Sequence, residues 1–462
     1  MPLVLAKLFS GSPSYVCRQT MDRTISSHLL SWKKTHRSPL LVRGARQVGK
    51  SYSIEKFGKT EFKNSVIINF DLHPELKSVF ENLDPNSIIT QVELLFRTPI
   101  SSETLIFLDE IQECPNAIKS LRYFKEIRPD LYIIGAGSLL EFAFTQEMKV
   151  PVGRIQFLNI WPLTFYEFLI AFGEEKMIPF LSTIDFENTI PESIHIRLIR
   201  LLRTYFILGG MPEVIHSYAQ SEKLLQASYV QDSLIETYRR DFSKYGRTSE
   251  LQHLQNAFLA IPRIVSEQIK YVNIDRESRS REIKNALSLL TLARVINPVF
   301  CTDASGLPLG ATLSGRIKYI FLDIGLMQHI CGIETEILDQ SDVMQINKGN
   351  LAEQYVGQEL LAHANPFLSS ELYFWARDKQ GSSSEIDYCI TRKGKIYPIE
   401  VKSGTTGKLR SLMVYMEEKK PPFGIRFWEG ELSFHDKILS IPLYMTGELE
   451  RLINIASTEY PI

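Results

Sequence analysis

The sequence has few cysteines, no long apolar run and no excess charge of one sign, and each absence excludes a class of protein. Its five cysteines lie far apart without a CxxC pair, so a disulfide framework or a zinc site is not expected. No apolar stretch reaches the roughly 18 residues that a membrane span needs. We therefore predict a soluble, cytoplasmic protein whose cysteines are structural thiols and which has no membrane segment.

The charges nearly cancel, since 52 Lys and Arg residues are matched by 53 Asp and Glu residues. This balance excludes a uniformly basic protein that coats nucleic acid, but it leaves room for a local basic face. Hydrophobic residues make up 44% of the chain and charged residues 23%, as in ordinary globular proteins. The chain has 462 residues, which predicts two to four domains at roughly 100–200 residues per domain.

Short apolar segments alternate with helical patterns in the first part of the chain. The predicted strands cover residues 39–42, 66–70, 104–108, 131–134 and 155–160. Such alternation favours a parallel α/β sheet. Helical patterns dominate from residue 165 to residue 261, and strands and helices mix again from residue 318 onward.

A glycine-rich loop follows the first predicted strand and matches the pattern GxxxxGK[ST] in full. Its residues are Gly44, Ala45, Arg46, Gln47, Val48, Gly49, Lys50 and Ser51. Glycines let such a loop curl so that its backbone N–H groups point at phosphate oxygens. We predict that Lys50 reaches the β- and γ-phosphates of ATP and that Ser51 holds Mg²⁺.

Two acids, Asp109 and Glu110, end the third predicted strand. In P-loop enzymes an Asp at this place helps to hold Mg²⁺. A Glu directly after it can polarise the attacking water as a general base. We therefore predict that Asp109 binds the metal and that Glu110 is catalytic. ATP binding follows from the two motifs together, whereas hydrolysis also needs an arginine that stabilises charge.

Two further residues are candidates for contact with the nucleotide. Ser138 ends the fourth predicted strand, where it would sense the γ-phosphate or orient the water; an ordinary turn is the alternative. Arg154, in the segment Val152-Gly153-Arg154, is a candidate finger or sensor arginine. A surface arginine is its alternative, and an arginine finger can also act across a subunit boundary.

The order of motifs resembles a family of prokaryotic AAA-type ATPases that carry a conserved C-terminal domain with a nuclease-like core. The matching segments are 44–51, 108–110, 137–138, 153–154, 161–167, 209–212, 279–281 leading to Ala311, 322–325, 348–353, 385–387 and 399–402. They span about residues 22–405. The resemblance implies an AAA-type core, a helical and winged-helix-like middle, and a restriction-endonuclease-like C-terminal domain.

These implications give a multidomain α/β protein with predicted boundaries. Residues 1–21 are a leader, residues 22–185 a P-loop ATPase domain with a parallel sheet, residues 186–315 a helical lid and winged-helix-like domain, and residues 316–462 a nuclease-like α/β domain. Subunits of AAA-type proteins often complete each other's sites, so the resemblance also implies a possible homo-oligomer.

The middle of the chain carries a weak basic patch. Residues 262–296 hold seven Lys or Arg and four Asp or Glu residues. Arg276, Arg279, Arg281 and Lys284 lie near the start of a predicted helix, where a recognition helix meets DNA. A winged helix that serves only for packing or subunit contacts is the alternative.

The C-terminal part contains acids and a lysine in a predicted β-hairpin. Glu400 and Lys402 lie two residues apart on one strand and share a face, Asp387 lies on the neighbouring strand, and Glu353 lies on a predicted helix. This spacing resembles the PD-(D/E)xK nuclease core, with Ile386 in place of Pro. We predict that these four residues are catalytic and that Asp387 and Glu400 hold Mg²⁺. A non-catalytic surface ion cluster is the alternative.

Two main functional hypotheses follow, and a third, a helicase-like motor, ranks last because the sequence offers no clear helicase motif set. In the first, ATP controls a machine that acts on DNA, and the C-terminal site cuts or grips the DNA. In the second, the nucleotide state reshapes an interaction surface and the C-terminal domain is not catalytic. A basic excess between residues 392 and 420, with eight Lys or Arg against three Asp or Glu, favours contact with phosphate backbone.

Overall fold

The structure is a computed structural model that describes residues 23–35, 38–145, 153–312, 315–333, 349–377, 384–402, 404 and 409–459. The predicted leader, residues 1–21, lies outside these residues. Within the described part, no helix has the length and apolar character needed to cross a bilayer.

Five parallel strands form the first sheet, which confirms the predicted parallel α/β core. The strands are β1 (Leu40–Arg43), β2 (Asn64–Asn69), β3 (Thr104–Asp109), β4 (Tyr132–Ala136) and β5 (Gln156–Asn159), in the order β2-β3-β4-β1-β5. Strand β3 is buried along its whole length because helices cover both faces of a parallel sheet. All five C-terminal strand ends therefore meet at one edge.

Helices connect these strands. They are α1 (Ile25–Thr35), α2 (Lys50–Glu61), α3 (Pro85–Phe96), α4 (Pro115–Ile127) and α5 (Leu140–Thr145). Helices α3 and α4 both begin with proline. Proline has no backbone N–H, and it fits the first helical turn because an N–H at that position would have no partner within the helix. Asp84 caps α3 by accepting from the backbone N–H of Ser87.

A set of helices follows the first sheet, as the periodicity predicts. They are α6 (Phe165–Ala171), α7 (Met177–Ser182), α8 (Glu192–Leu208), α9 (Pro212–Ser221), α10 (Leu224–Tyr245), α11 (Leu251–Ala260) and α12 (Ser280–Leu292). A capping box starts α6, where Thr164 and Glu167 exchange side-chain and backbone hydrogen bonds.

Eight strands form the second, mixed sheet. They are β6 (Ile296–Thr302), β7 (Ile317–Phe321), β8 (Leu372–Ala376), β9 (Glu385–Arg392), β10 (Lys395–Val401), β11 (Gly424–Trp428), β12 (Ser433–His435) and β13 (Ile438–Pro442), in the order β12-β13-β11-β10-β9-β8-β6-β7. The antiparallel pair β9 and β10 confirms the predicted hairpin, with Ile399 opposite Tyr388. Lys393 and Gly394 have positive φ and form its tight turn.

The helices of this part of the chain are α13 (Ile324–Cys331), α14 (Asn350–Ala362), α15 (Arg410–Lys419) and α16 (Leu449–Glu459). Helices α14, α15 and α16 pack on the second sheet, whereas α13 packs mainly on α8. Strand β6 belongs to the same sheet as the later strands, since it pairs in parallel with β8. The sheet therefore includes strands from both sides of residue 315, where we predicted a domain boundary. One continuous hydrophobic cluster extends from Ile25 to Ala456 and joins the two sheets.

Candidate functional site

The loop after β1 has the shape that phosphate binding requires. A Cβ on Gly44 would lie 2.4 Å from the carbonyl oxygen of Ile160, so only glycine fits there. Gln47 and Gly49 have φ angles of 60° and 90°, the left-handed region that favours glycine at Gly49. The chain thus curls back and enters helix α2 at Lys50.

Lys50 folds over this loop and is buried. Its Nζ donates to the carbonyl oxygens of Gly44 and Ala45, at 3.1 and 2.7 Å. Burial lowers the pKa of Lys50 to about 8, although the charges of Glu110 and Asp109 oppose this effect. An anion placed beside this ammonium would therefore be strongly attracted.

Ser51 and Asp109 meet at the edge where β1 and β3 end. The Ser51 hydroxyl donates to both carboxylate oxygens of Asp109, at 3.0 and 3.1 Å. Asn69, at the end of β2, donates to the same carboxylate at 2.9 Å. Burial raises the pKa of Asp109. A hydroxyl and a carboxylate are oxygen ligands that suit Mg²⁺, so these two residues fit the metal.

Glu110 lies directly beyond this pair, in a left-handed conformation with φ 46°. Its Oε2 accepts from the side chain of Gln112 at 2.7 Å and lies 3.5 Å from the backbone N of Ser138. The structure therefore brings together Lys50, Ser51, Asp109, Glu110 and Ser138, as the strand order requires.

Residues from distant parts of the chain fix the loop, and the sequence motifs did not indicate them. Arg23 donates to the carbonyl oxygens of Val48 and Trp161, at 3.0 and 2.7 Å. Arg46 forms an ion pair with Asp241 on α10, and Tyr238 on the same helix donates to the carbonyl oxygen of Arg46 at 2.6 Å. The loop thus contacts both its own domain and a later helix.

Arg154 does not lie beside the loop of its own chain. Its Nε donates to Glu126 at 2.6 Å, and both side chains are largely exposed. A role of Arg154 across a subunit boundary stays a prediction.

A second group of charges lies on the eight-stranded sheet, and we call it the carboxylate cluster. It consists of Lys318 on β7, Glu353 on α14, Glu385 and Asp387 on β9, and Glu400 and Lys402 at the end of β10. Lys318 Nζ donates to Glu353 at 3.2 Å and pairs with Glu385. The structure therefore brings all four sequence-predicted residues of this domain to one place.

The cluster contains more carboxyl groups than ammonium groups, and burial favours the neutral form of the carboxyl groups. Four carboxylates share two ammonium groups, and burial raises the pKa of Glu353 to about 8 and that of Glu400 to about 7. Glu400 Oε1 accepts from Lys402 at 2.5 Å, whereas the buried Oε2 of Glu400 has no hydrogen-bond partner. Asp387 accepts from the backbone N–H of Val401 at 2.7 Å, and burial raises its pKa as well.

These observations bear on whether the cluster fits a metal. Among the described residues, no group of three or more His, Cys, Asp and Glu side chains stands in a metal-binding arrangement. The free Oε2 of Glu400 and the nearby Asp387 provide two hard oxygen ligands, and Mg²⁺ usually keeps several waters. The cluster therefore fits a cation that has few protein ligands.

Sequence reasoning missed Lys318, although a signal was present. A single lysine stands in the apolar segment Ile317–Phe321, where it is almost fully buried. Buried lysines are rare unless they are paired, so a partner acid could have been expected.

Two of the family-like motifs meet where helix α8 ends and helix α13 begins. Asp323 is fully buried and accepts from the backbone N–H groups of Gly210 and Leu326, at 2.6 and 3.0 Å. Burial raises its pKa to about 6. Gly325 packs directly on the backbone of Leu208 and Gly209. The motifs 209–212 and 322–325 therefore form one contact between α8 and α13.

Comparisons with known families agree with the first site. A family profile described as an AAA domain matches residues 36–169. Two further profiles, each described as a domain of unknown function, match residues 199–337 (DUF8612) and 348–444 (DUF4143). Residues 36–169 are therefore similar to an AAA domain, and this similarity supports a P-loop ATPase that binds nucleotide, whereas the other two profiles assign no activity.

Two solved structures match the chain at low identity and with TM-scores below 0.5. A Walker-type ATPase of Pyrococcus abyssi is 15% identical, with a TM-score of 0.41, over 70% of this chain and 99% of that chain. A signal-transduction ATPase with numerous domains and a tetratricopeptide-repeat sensor, from Pyrococcus horikoshii, is 13% identical with a TM-score of 0.28, over 76% of this chain and 47% of that chain. The comparison with curated proteins gave no match.

Proposed function

We propose that the protein hydrolyses ATP with Mg²⁺ and that its carboxylate cluster is a metal-dependent phosphodiesterase site that acts on DNA. In the first site Ser51 and Asp109 would hold Mg²⁺, Lys50 would bind the β- and γ-phosphates, and Glu110 would take the proton from the attacking water. Ser138 would contact the γ-phosphate, and the 3.5 Å between its backbone N and Glu110 Oε2 supports this role.

The convergence of Glu353, Asp387, Glu400 and Lys402 is the observation that carries the second part. These residues come from a helix and from the two strands of a hairpin later in the sequence, and they share one cluster in which carboxyl groups outnumber ammonium groups. An excess of buried carboxylates needs protons or a cation to balance it. A divalent cation provides that balance.

The residues of the cluster have separate roles in this proposal. Asp387 and the free Oε2 of Glu400 would hold Mg²⁺, which when bound supplies a water that is a better nucleophile. Lys402 would stabilise the negative charge that develops on the phosphate in the transition state. Lys318 neutralises Glu353 and Glu385 and so fixes the direction of both carboxylates.

Exposed basic residues support contact with a phosphate backbone. Arg276, Arg279, Arg281 and Lys284 are all exposed near the start of α12, and Lys393, Lys395 and Lys420 are exposed around the β9–β10 turn and after α15. Lys and Arg side chains in such positions bind nucleic acid by neutralising phosphates. A homo-oligomer in which Arg154 completes the site of a neighbouring subunit belongs to the same proposal.

Replacing Asp387 by Asn tests the nuclease part. We expect wild type to nick plasmid or cut single-stranded DNA with Mg²⁺ or Mn²⁺, and the Asp387→Asn variant to lose about 100-fold or more of this rate, since a charged ligand of the cation is gone. ATP hydrolysis is the control and should be unchanged. Equal cutting by both proteins would show that the activity comes from elsewhere.

The pH dependence of metal binding gives a further prediction. Because the pKa of Glu400 is raised to about 7, protons compete with the metal below that pH. We expect Mn²⁺ affinity, measured by calorimetry without nucleotide, to rise about tenfold from pH 6 to pH 8. The Asp387→Asn variant is the control, because the Mn²⁺ that it still binds is bound at the P-loop site. An affinity that does not change with pH would contradict this assignment.

The raised pKa of Glu400 also makes the stability of the fold depend on pH. Stability falls as the pH rises, whereas the metal affinity increases. The folded chain holds the Glu400 proton more tightly than the unfolded chain does. The stability that this proton contributes is therefore complete below the ordinary glutamate pKa and is lost as the pH rises through about 7. Mn²⁺ should restore stability at high pH.

A second candidate function is a nucleotide-dependent interaction switch. The observation that favours it is the ion pairing of Lys318 with Glu353 and Glu385, which partly neutralises the cluster without a metal. In that case the cluster would be structural. The absence of DNA cutting under every metal condition, with ATP hydrolysis intact, would select this function.

A further inference from the structure

Arg294 reaches the nucleotide site from a distant part of the chain. It follows helix α12 and precedes β6, with φ 58°. One terminal nitrogen of its guanidinium donates to Glu141 Oε1 at 3.0 Å, and its side chain is only 16% exposed. Glu141 lies on α5, three residues beyond Ser138, at the same sheet edge as the P-loop.

Arg43 shares this carboxylate. It is the last residue of β1, directly before Gly44, and a terminal guanidinium nitrogen lies 3.5 Å from Glu141 Oε1. The Nε of Arg43 is buried and has no hydrogen-bond partner. Two guanidinium groups thus face one carboxylate in a largely buried place, and a second anion would balance their charge.

The electrostatics agree with this geometry. The pKa of Arg43 is lowered to about 10, mainly by burial; the charge of Glu141 opposes this effect and the charge of Arg294 adds to it. Arg294 also contributes to the lowered pKa of Lys50, after burial. Arg294 therefore lies close enough for its charge to affect the lysine that would bind the γ-phosphate.

We propose that Arg294 is a nucleotide-binding residue that leaves Glu141 for the γ-phosphate of ATP, and that this exchange carries the nucleotide state to the eight-stranded sheet. The inference rests on the proposed binding of ATP at the P-loop and adds a residue outside the matched AAA domain. ADP lacks the γ-phosphate, so with ADP the contact between Arg294 and Glu141 would remain.

The connection from Arg294 to the carboxylate cluster is short. Arg294 is separated from β6 by one residue, and β6 pairs with β7 so that Val299 lies opposite Lys318. Lys318 in turn holds Glu353 and Glu385. A shift of Arg294 toward the nucleotide would therefore move a strand pair that ends in the second site.

Nucleotide discrimination tests this role. Affinities for ADP and for a non-hydrolysable ATP analogue with an imido bridge are measured by calorimetry with Mg²⁺. We expect Arg294→Ala to lower the preference for the triphosphate about tenfold or more, since a charge-assisted contact is lost, and to leave ADP affinity unchanged. Arg294→Lys should restore part of the preference. Arg263→Ala is the matched control, because it removes an exposed arginine that lies between helices α11 and α12.

The Glu141→Gln variant separates this proposal from a purely structural ion pair. Because Gln holds Arg294 less tightly, we expect the preference for the triphosphate to rise, opposite to the effect of Arg294→Ala. If the ion pair is only structural, both variants change stability and neither changes the preference. Hydrogen exchange of residues 294–302 should slow with the triphosphate in wild type and not in Arg294→Ala.

The outcomes also distinguish this inference from the proposed function. If wild type binds neither nucleotide, ATP binding at the P-loop is wrong and the inference fails with it. If wild type binds both nucleotides and Arg294→Ala keeps the wild-type preference, only the assignment of Arg294 is overturned.

Discussion

Replacing Glu110 by Gln is expected to lower ATP turnover by about 100- to 10,000-fold, which is the range that a general base contributes. Gln keeps the size and the hydrogen-bonding oxygen, so its contact with the side chain of Gln112 is retained. It cannot accept a proton from water. We expect ATP affinity to change by less than about threefold, because the side chain of Glu110 hydrogen-bonds to Gln112 and Ser138 and acts on Lys50 only through its charge.

Lys50→Ala is the matched comparison for this prediction. Lys50 is the ammonium that we propose to bind the phosphates, so its loss should weaken ATP binding itself. Turnover measured by phosphate release and affinity measured by calorimetry separate the two variants. If Glu110→Gln hydrolysed ATP at the wild-type rate, another residue would have to be the base.

Replacing Gly325 by Ala is expected to destabilise the protein by about 2–4 kcal/mol, the cost of forcing a methyl group into a packed contact. A Cβ at Gly325 would lie 2.4 Å from the backbone N of Gly209 and from the carbonyl group of Leu208. Backbone atoms cannot move aside as a flexible side chain can. Helices α8 and α13 would have to separate, and the hydrogen bond from Gly210 to Asp323 would be disturbed.

Gly306→Ala is the control for this prediction. A Cβ at Gly306 would meet no atom within 4 Å, so this substitution should change the free energy of unfolding by about 0.5 kcal/mol or less. Chemical denaturation of both variants, followed by fluorescence, gives the comparison. Equal stability of the Gly325→Ala variant and wild type would mean that helices α8 and α13 do not pack through this contact.

The first site could be predicted from the sequence because its residues are local to strand ends. The loop at residues 44–51 and the acids Asp109 and Glu110 follow buried strands, and parallel strands place their ends at one edge. The order of the strands then decides which ends are neighbours. Asn69 ends β2 and so could have been included by the same reasoning.

The residues that sequence reasoning missed act across long distances. Arg23, Asp241 and Arg294 contact the P-loop or its neighbours from helices and loops whose placement depends on tertiary packing. No local pattern marks them, since an isolated charged residue is usually solvated. Lys318 is different, because a charge inside an apolar strand is itself a signal.

The predicted winged-helix character and nuclease character have unequal support. Helices α11 and α12 and the strand pair β6 and β7 occur in the predicted order, but β6 also joins the second sheet through β8. For the nuclease-like domain, the hairpin and the meeting of its acids follow from strand period and register. The burial of these acids, and their excess over the ammonium groups, could be seen only in the structure.

DNA cutting by wild type and by Lys402→Ala, each with and without ATP, is the measurement that tests the central claim most directly. The reaction contains plasmid or single-stranded DNA with Mg²⁺ or Mn²⁺, and ATP hydrolysis is followed in the same samples. We expect wild type to cut, ATP to change the rate, and Lys402→Ala to hydrolyse ATP without cutting. Hydrolysis of ATP by wild type with no cutting under any of these conditions would contradict the claim that the carboxylate cluster is a nuclease site.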